Sequence, residues 1–188
     1  MPKTALRRAF LFSGHMIDVP DRARPRFPPR LESLVAAEIS NNLDLFRPTA
    51  VDVAISSGAC GGDILFGEAM LARGVPLRIY LPFGEADFIE KSVSFAGGRW
   101  VERFHRLTEQ AVTQTAPDSL GLGQAGEDPY ERTNLWMLAE AKRLAGGLIV
   151  FLCVWDGQGG DGPGGTKHMV EAVEESGGKF QWIDIRRL

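Results

Sequence analysis

Two glycine-rich turns contain residues whose types and spacing suit the binding of an anion. The first turn lies between a nearly continuous apolar run and a helical pattern, and it comprises Gly58, Ala59, Cys60, Gly61, Gly62 and Asp63. The second turn directly precedes the last helical pattern and comprises Gly164, Gly165 and Thr166. A glycine turn that opens a helix directs backbone amides and the positive end of the helix dipole at an anion such as phosphate. Two such turns in one chain predict a phosphate site more specifically than either alone.

Each turn also has a simpler explanation, in which its glycines only allow close packing between helix and strand. Asp63 and Thr166 stand where helix N-caps belong, and both residue types favour that position. The hydroxyl of Thr166 and the amides after it could equally hold phosphate oxygens. Cys60 could be activated by the helix start, but no general base lies near it in the sequence.

Further candidates follow the first and fourth predicted strands or open the helix between them. Gly14 lets backbone approach a ligand, and His15 could donate to a phosphate or ribose or be an ordinary loop residue. Arg132 could pair with phosphate. Asn134 could reach a base edge or only water, and both residues could simply cap and solvate the helix. Asp156 directly follows the fourth strand.

The first thirty residues are rich in arginine, with little acid nearby. They contain Arg7, Arg8, Arg22, Arg24, Arg26 and Arg30. One interpretation is a solvated loop. The alternative is that one or two of these arginines fold over a ligand phosphate.

Strand and helix patterns alternate along the chain and place these residues in a fold. Apolar runs predict strands at residues 9–13, 51–57, 77–83, 148–155 and 180–185. Helical patterns between them predict an α/β fold: a doubly wound, mostly parallel, Rossmann-like sheet of five or slightly more strands with helices on both faces. Such sheets bind ligands at the carboxyl ends of their strands. We expect a single domain over 1–188, with residues 1–8 a tail and 111–129 a mobile loop.

Composition narrows the class of protein. The 188 residues carry a net charge of −3, which disfavours a general nucleic-acid binder. Neither a signal peptide nor a membrane-spanning run of about 18 apolar residues is recognisable. The two cysteines form no disulfide framework, so we expect a cytoplasmic, reduced protein. We predict no metal or cofactor, because the three histidines show no ligand spacing.

The order of these motifs resembles that of the SLOG superfamily. They run SGH, GACGGDILFGEA, LPF, ERTNLWML, VWDG and GPGGTKHMVEA, and the resemblance covers nearly the whole chain. The superfamily is Rossmann-like and includes the LOG phosphoribohydrolases and the DNA-processing protein A family. Within this superfamily, the resemblance is closest to SLOG-type sensor domains. The resemblance implies ligand binding by Gly14 and His15, by residues 58–63, by Asn134 and by residues 164–166.

One departure bears on catalysis. LOG enzymes carry a P-G-G-x-G-T-x-x-E motif whose glutamate serves cleavage of an N-glycosidic bond. Here the motif is shorter, and Met169 stands where that glutamate would be. We therefore expect a sensor that binds a phosphorylated, nucleotide-derived small molecule resembling ADP-ribose or a nucleoside phosphate, with a second copy or an effector domain as a further partner. The alternative is a hydrolase or transferase of nucleoside monophosphates that uses Asp63, Glu68 or Glu131.

Overall fold

Six parallel strands form one sheet in the order β4-β3-β2-β1-β5-β6. The structure is a computed structural model that describes residues 7–116, 128–159 and 164–188. The strands are β1 (Ala9–Gly14), β2 (Val53–Ser56), β3 (Leu77–Leu81), β4 (Val112–Thr115), β5 (Ile149–Trp155) and β6 (Phe180–Asp184). The helices are α1 (Glu32–Phe46), α2 (Gly62–Ala72), α3 (Glu85–Ser92), α4 (Gly98–Thr108), α5 (Pro129–Ala145) and α6 (Thr166–Glu175).

Helices cover both faces of the sheet, which confirms the predicted doubly wound α/β fold. On one face, α1, α2 and α4 pack their apolar residues against alternate residues of the strands, among them Phe10, Phe12 and Ile79. On the other face, α5 and α6 pack against residues of opposite parity, such as Leu11 and Cys153. Because both faces are buried, β1, β2 and β5 are almost uninterrupted apolar runs, as expected of central parallel strands.

Two elements of the fold were not predicted. Strand β4 has the sequence Val-Thr-Gln-Thr and is half-exposed at the edge of the sheet, so it lacks the apolar run of a central strand. Helix α3 buries only Phe88 and Ser92, so its sequence shows too little helical periodicity to be recognised.

The predicted tail (1–8) and mobile loop (111–129) differ from the structure at their ends. Arg8 is anchored, because its backbone N–H and its guanidinium donate to the carboxylate of Asp52 at 2.8–3.1 Å. The predicted loop at 111–129 contains β4 at its start. At its end, Asp128 caps α5 by accepting from the N–H groups of Tyr130 and Glu131. The rest of that loop, 117–127, lies outside the described residues. None of the described helices has the length and apolar character needed to cross a membrane.

Candidate functional site

A cleft of about 270 Å³ opens at the carboxyl edge of the sheet. The chain runs outward from β1 to β4 and then returns to β5 on the other side of β1, so the strand order reverses beside β1. The cleft lies at this reversal, which is where ligands bind in open α/β sheets. Its volume is close to the lower end of the usual range for small-molecule pockets, about 300–1,000 Å³.

The start of α6 opens into this cleft. Gly165 is the N-cap and Thr166 is the first helical residue, so the prediction that Thr166 is the N-cap was wrong. In the part of the chain that the structure describes, no side chain caps this helix. The first N–H groups of a helix lack partners inside it. The N–H of Met169, the fourth residue of α6, donates to the carbonyl oxygen of the N-cap residue Gly165 at 3.3 Å. Residues 164–167 line the cleft.

Asn134 fixes the turn before α6. Its Nδ2 donates to the carbonyl oxygen of Gly164 at 2.8 Å and lies 3.3 Å from Nδ1 of His168. Gly164 has a φ of +76°, and a Cβ there would lie 2.3 Å from Cβ of Tyr130. Only glycine permits so close an approach of this turn to α5. Asn134 thus holds the turn, a contact that the sequence did not predict, and a contact with a base edge stays a prediction.

The first glycine turn is closed by the protein's own backbone. The N–H of Gly62 donates to the carbonyl oxygen of His15 at 3.0 Å, and the N–H of Cys60 donates to that of Ser92 at 2.9 Å. In the other direction, the N–H of Ile17 donates to the carbonyl oxygen of Cys60 at 3.3 Å. The amides of Gly62 and Cys60 therefore do not face the cleft. Burial raises the pKa of the Cys60 thiol to about 12, so the thiol stays protonated.

Asp63 joins the ends of β1 and β2. Its carboxylate accepts from Gly14 N–H at 3.2 Å and from the Ser57 hydroxyl at 2.5 Å. The N-cap of α2 is Gly61, so the alternative interpretation of Asp63 as a cap was wrong. Burial raises the pKa of Asp63 to about 6, although hydrogen bonds from Ser57, Ala59 and Gly14 favour its ionised form. The side chain is therefore a buried acid that organises two loops at the floor of the cleft.

His15 and Asp156 form a buried pair beside the cleft. The Nε2 atom of His15 accepts from the N–H of Asp156 at 3.1 Å and lies 3.0 Å from its Oδ1. Burial lowers the pKa of His15, an effect that the Asp156 carboxylate partly offsets. Burial alone would raise the pKa of Asp156, but the N–H of Gln158 and the nearby imidazole hold it below its usual value. An Nε2 without a proton accepts from the Asp156 N–H, whereas an Nε2 that carries a proton donates to Oδ1 of Asp156.

The charged side chains of the cleft are mostly basic. Its described lining includes Arg26, Lys91 and Lys167, with Asp63 as a carboxylate. Asp18 shapes the loop that carries Arg26, because its carboxylate accepts from the N–H groups of Arg26 and Phe27, both at 2.9 Å. Of the arginines in the first thirty residues, Arg26 therefore fits the alternative that a guanidinium reaches a ligand. Arg22 and Arg24 do not line the cleft.

The structure brings together part of the predicted site. Eight predicted residues line the cleft: Gly14, His15, Ala59, Asp63, Asn134, Gly164, Gly165 and Thr166. The other six do not: Gly58, Cys60, Gly61, Gly62, Arg132 and Asp156. Ligand binding by any of these residues stays a prediction. Sequence reasoning missed Ser57, Lys91 and Tyr130, and it also missed Lys167, whose position directly after Thr166 at a helix start was a usable signal.

Comparison with known proteins gives a likeness in fold. The X-ray structure of DNA processing protein A from Streptococcus pneumoniae matches 94% of this chain at 13% sequence identity, with a TM-score of 0.40. The match covers 58% of that protein, so this chain spans less than two thirds of its length. No protein-family model and no curated protein matches the sequence. A likeness at this identity and TM-score concerns the fold alone.

Proposed function

We propose that the cleft binds a phosphorylated, nucleotide-derived small molecule whose phosphate sits at the start of α6. The observation that carries this proposal is the helix start itself, which no described side chain caps and which opens into a cleft lined by Arg26, Lys91 and Lys167. Free amides and the positive end of the helix dipole stabilise an anion there. The three cations add charge-assisted contacts, which are stronger than neutral ones.

The remainder of the lining favours a ligand with an organic part over bare phosphate. Apolar and aromatic side chains form much of the wall, and among them are Phe12, Phe88, Tyr130, Met137 and Trp155. Clefts of mixed character, with a few placed polar groups, are typical of small-molecule sites. A sugar and base attached to the phosphate would cover these surfaces.

The proposal includes binding without hydrolysis. Of the three acids named for the alternative, Glu68 and Glu131 do not line the cleft. Glu68 is bound instead by the guanidinium of Arg103 at 2.5–2.7 Å. Met169, at the position of the LOG glutamate, is fully buried among the apolar residues between α6 and the sheet. A general acid or base must lie within hydrogen-bond reach of the reacting atom.

One observation favours the hydrolase alternative. Asp63 lines the cleft, and its pKa of about 6 lies in the range in which a carboxyl group can exchange protons near neutral pH. Against this, its oxygens already accept hydrogen bonds from Ser57 and Gly14, so the carboxylate holds two loops together.

A thermal-shift panel tests the proposal. The panel contains AMP, ADP-ribose, ribose 5-phosphate and pyridine nucleotides. A ligand at a hundred times its dissociation constant adds about 2.7 kcal/mol, which raises the midpoint roughly 5–10 °C in a domain of this size. Gly165→Asp is the matched control, since Gly165 has a φ of −74° that any residue adopts. It should keep the unliganded midpoint and lose the shift, and a panel that leaves the wild-type midpoint unmoved would refute the proposal.

Chromatography of the same mixtures separates binding from catalysis. We expect no base release from AMP or NAD above the level without protein. Release that Asp63→Asn abolishes would establish the hydrolase in place of the sensor.

A further inference from the structure

Two tryptophans, the half-buried Trp155 and the exposed Trp182, form an aromatic surface that continues from the cleft, here called the indole shelf. Trp155 ends β5 and lines the cleft, and Trp182 lies on the neighbouring strand β6. Their ring centroids are 5.8 Å apart, with an interplanar angle of 45°. Trp182 pairs in register with Cys153, two residues before Trp155, so both indoles stand on the same face of the sheet. Trp182 leaves 40% of its surface exposed.

The backbone holds both indoles by their polar edges. Nε1 of Trp182 donates to the carbonyl oxygen of Trp155 at 3.0 Å, and Nε1 of Trp155 donates to that of Gln158 at 2.7 Å. Gly157, with a φ of +76°, lets the chain pass close to the ring of Trp182, because a Cβ there would lie 3.3 Å from the indole. With both N–H groups bonded to backbone, neither indole needs a hydrogen-bond acceptor from a ligand.

A cation lies over one ring of the shelf. The guanidinium of Arg186 is 5.7 Å from the ring centroid of Trp182, and the Asp184 carboxylate holds it with contacts of 2.7 Å. Together with Trp155 at the edge of the cleft, this gives a rigid, cation-flanked aromatic surface next to the predicted phosphate site. Stacking on such surfaces accepts any nucleobase, because every base has a π-face.

We infer that the indole shelf binds the base of the ligand, with the base stacked on the ring of Trp182 and in contact with that of Trp155, while its phosphate sits at the start of α6. This inference rests on the proposed function and adds the position of the base. The ligand must then carry an aromatic base, and this base lies over the outer strands β5 and β6. The competing position is the inner apolar wall at Phe88 and Met137.

The other two tryptophans serve as internal contrasts. Trp100 is almost fully buried, and the guanidinium of Arg103 lies 4.2 Å from its ring centroid. Trp136 packs edge-on against Tyr80, with ring centroids 4.6 Å apart. Neither lines the cleft. Their fluorescence should not respond to a base on the shelf, so quenching on addition of ligand would come from Trp155 and Trp182.

The test compares two ligands that differ only in the base, AMP and ribose 5-phosphate, by calorimetry on the full chain. Removing an aromatic platform weakens base binding by roughly tenfold. Trp182→Ala should therefore lose at least about tenfold in affinity for AMP and stay within about twofold for ribose 5-phosphate. Trp182→Phe should recover most of the loss. Gln181→Ala is the matched control, because Gln181 is exposed on the opposite face of β6.

The possible outcomes separate the inference from the proposed function. Unchanged AMP affinity in Trp182→Ala, with AMP still bound by wild type, would overturn the shelf and leave the phosphate site standing. An equal loss for both ligands would also overturn it, since the base would then not be the group that Trp182 contacts. Failure of wild type to bind these two ligands and every other member of the thermal-shift panel would refute the proposed function itself.

Discussion

The two glycine turns have similar sequences and opposite surroundings. In the turn at 58–63, the amides of Cys60 and Gly62 donate to carbonyl oxygens of Ser92 and His15, so this part of the turn is a structural joint. In the turn at 164–166, Asn134 donates to the carbonyl oxygen of Gly164, and residues 164–167 line the cleft. Glycine content alone therefore does not make an anion site. The N–H groups of a turn are available to an anion only where the chain opposite the turn does not present acceptors to them.

Replacing the glycine at the closest approach in the first turn should have the largest effect. Gly61 has a φ of +95°, and a Cβ there would lie 2.7 Å from the backbone nitrogen of Ile17. Gly61→Ala should cost about 3 kcal/mol of stability, or roughly 6–12 °C in the unfolding midpoint. Gly74→Ala is the control, since Gly74 has a φ of +70° with no neighbour within 4 Å. Equal losses in the two variants would contradict the close contact.

The buried acid of the first turn should give the next effect, as a dependence of stability on pH. The pKa of Asp63 is about 6 in the folded chain against 3.8 ordinarily, which corresponds to about 3 kcal/mol. Because the folded state holds this proton more tightly, stability should fall as pH rises from about 4 to about 6. The lowered pKa of His15 gives a slope of the opposite sign, so the comparison must be with a variant.

Chemical denaturation from pH 4 to pH 7 measures this dependence. The free energy of unfolding of wild type minus that of Asp63→Asn should decrease through the window and be flat above it. A difference that is constant with pH would show that Asp63 titrates normally and is not the buried joint described above.

A smaller effect should separate two arginines of one loop. Arg26 lines the cleft, whereas the side chain of Arg24 is exposed to solvent. Loss of one charge-assisted contact costs roughly 1.5–3 kcal/mol, so Arg26→Gln should weaken AMP binding by at least about tenfold. Arg24→Gln should stay within about twofold, and both should unfold like wild type. Calorimetry measures the AMP affinity of both variants. Equal affinities would indicate that the loop is only solvated and that Arg26 does not contact the ligand.

Elements that bury many apolar residues could be predicted from the sequence, and elements that bury few could not. The strands β1, β2 and β5 are buried on both faces, so their apolar runs were visible, and the cleft's position at their carboxyl ends followed from the fold. Strand β4 and helix α3 bury too little to leave a pattern. For that reason Lys91, which α3 carries, was not predicted at the cleft.

The roles of the two turns needed three-dimensional contacts. Nothing local to residues 58–63 shows that the segment from His15 to Ile17 lies against them. Likewise, the contact between Asn134 and Gly164 joins residues that are thirty apart in the chain. The residue types predicted a role for both turns. Only the residues packed against each turn show that the first is bonded within the protein and that the second opens into the cleft.

The most direct test of this distinction is the set of backbone amide chemical shifts of the ¹⁵N-labelled chain during titration with AMP. Amides that bind phosphate shift most, and amides bonded within the protein shift little. We expect the largest changes at Gly165, Thr166 and Lys167, with only small changes at Cys60 and Gly62. Changes concentrated at Cys60 and Gly62, with the start of α6 unaffected, would contradict this distinction between the two turns.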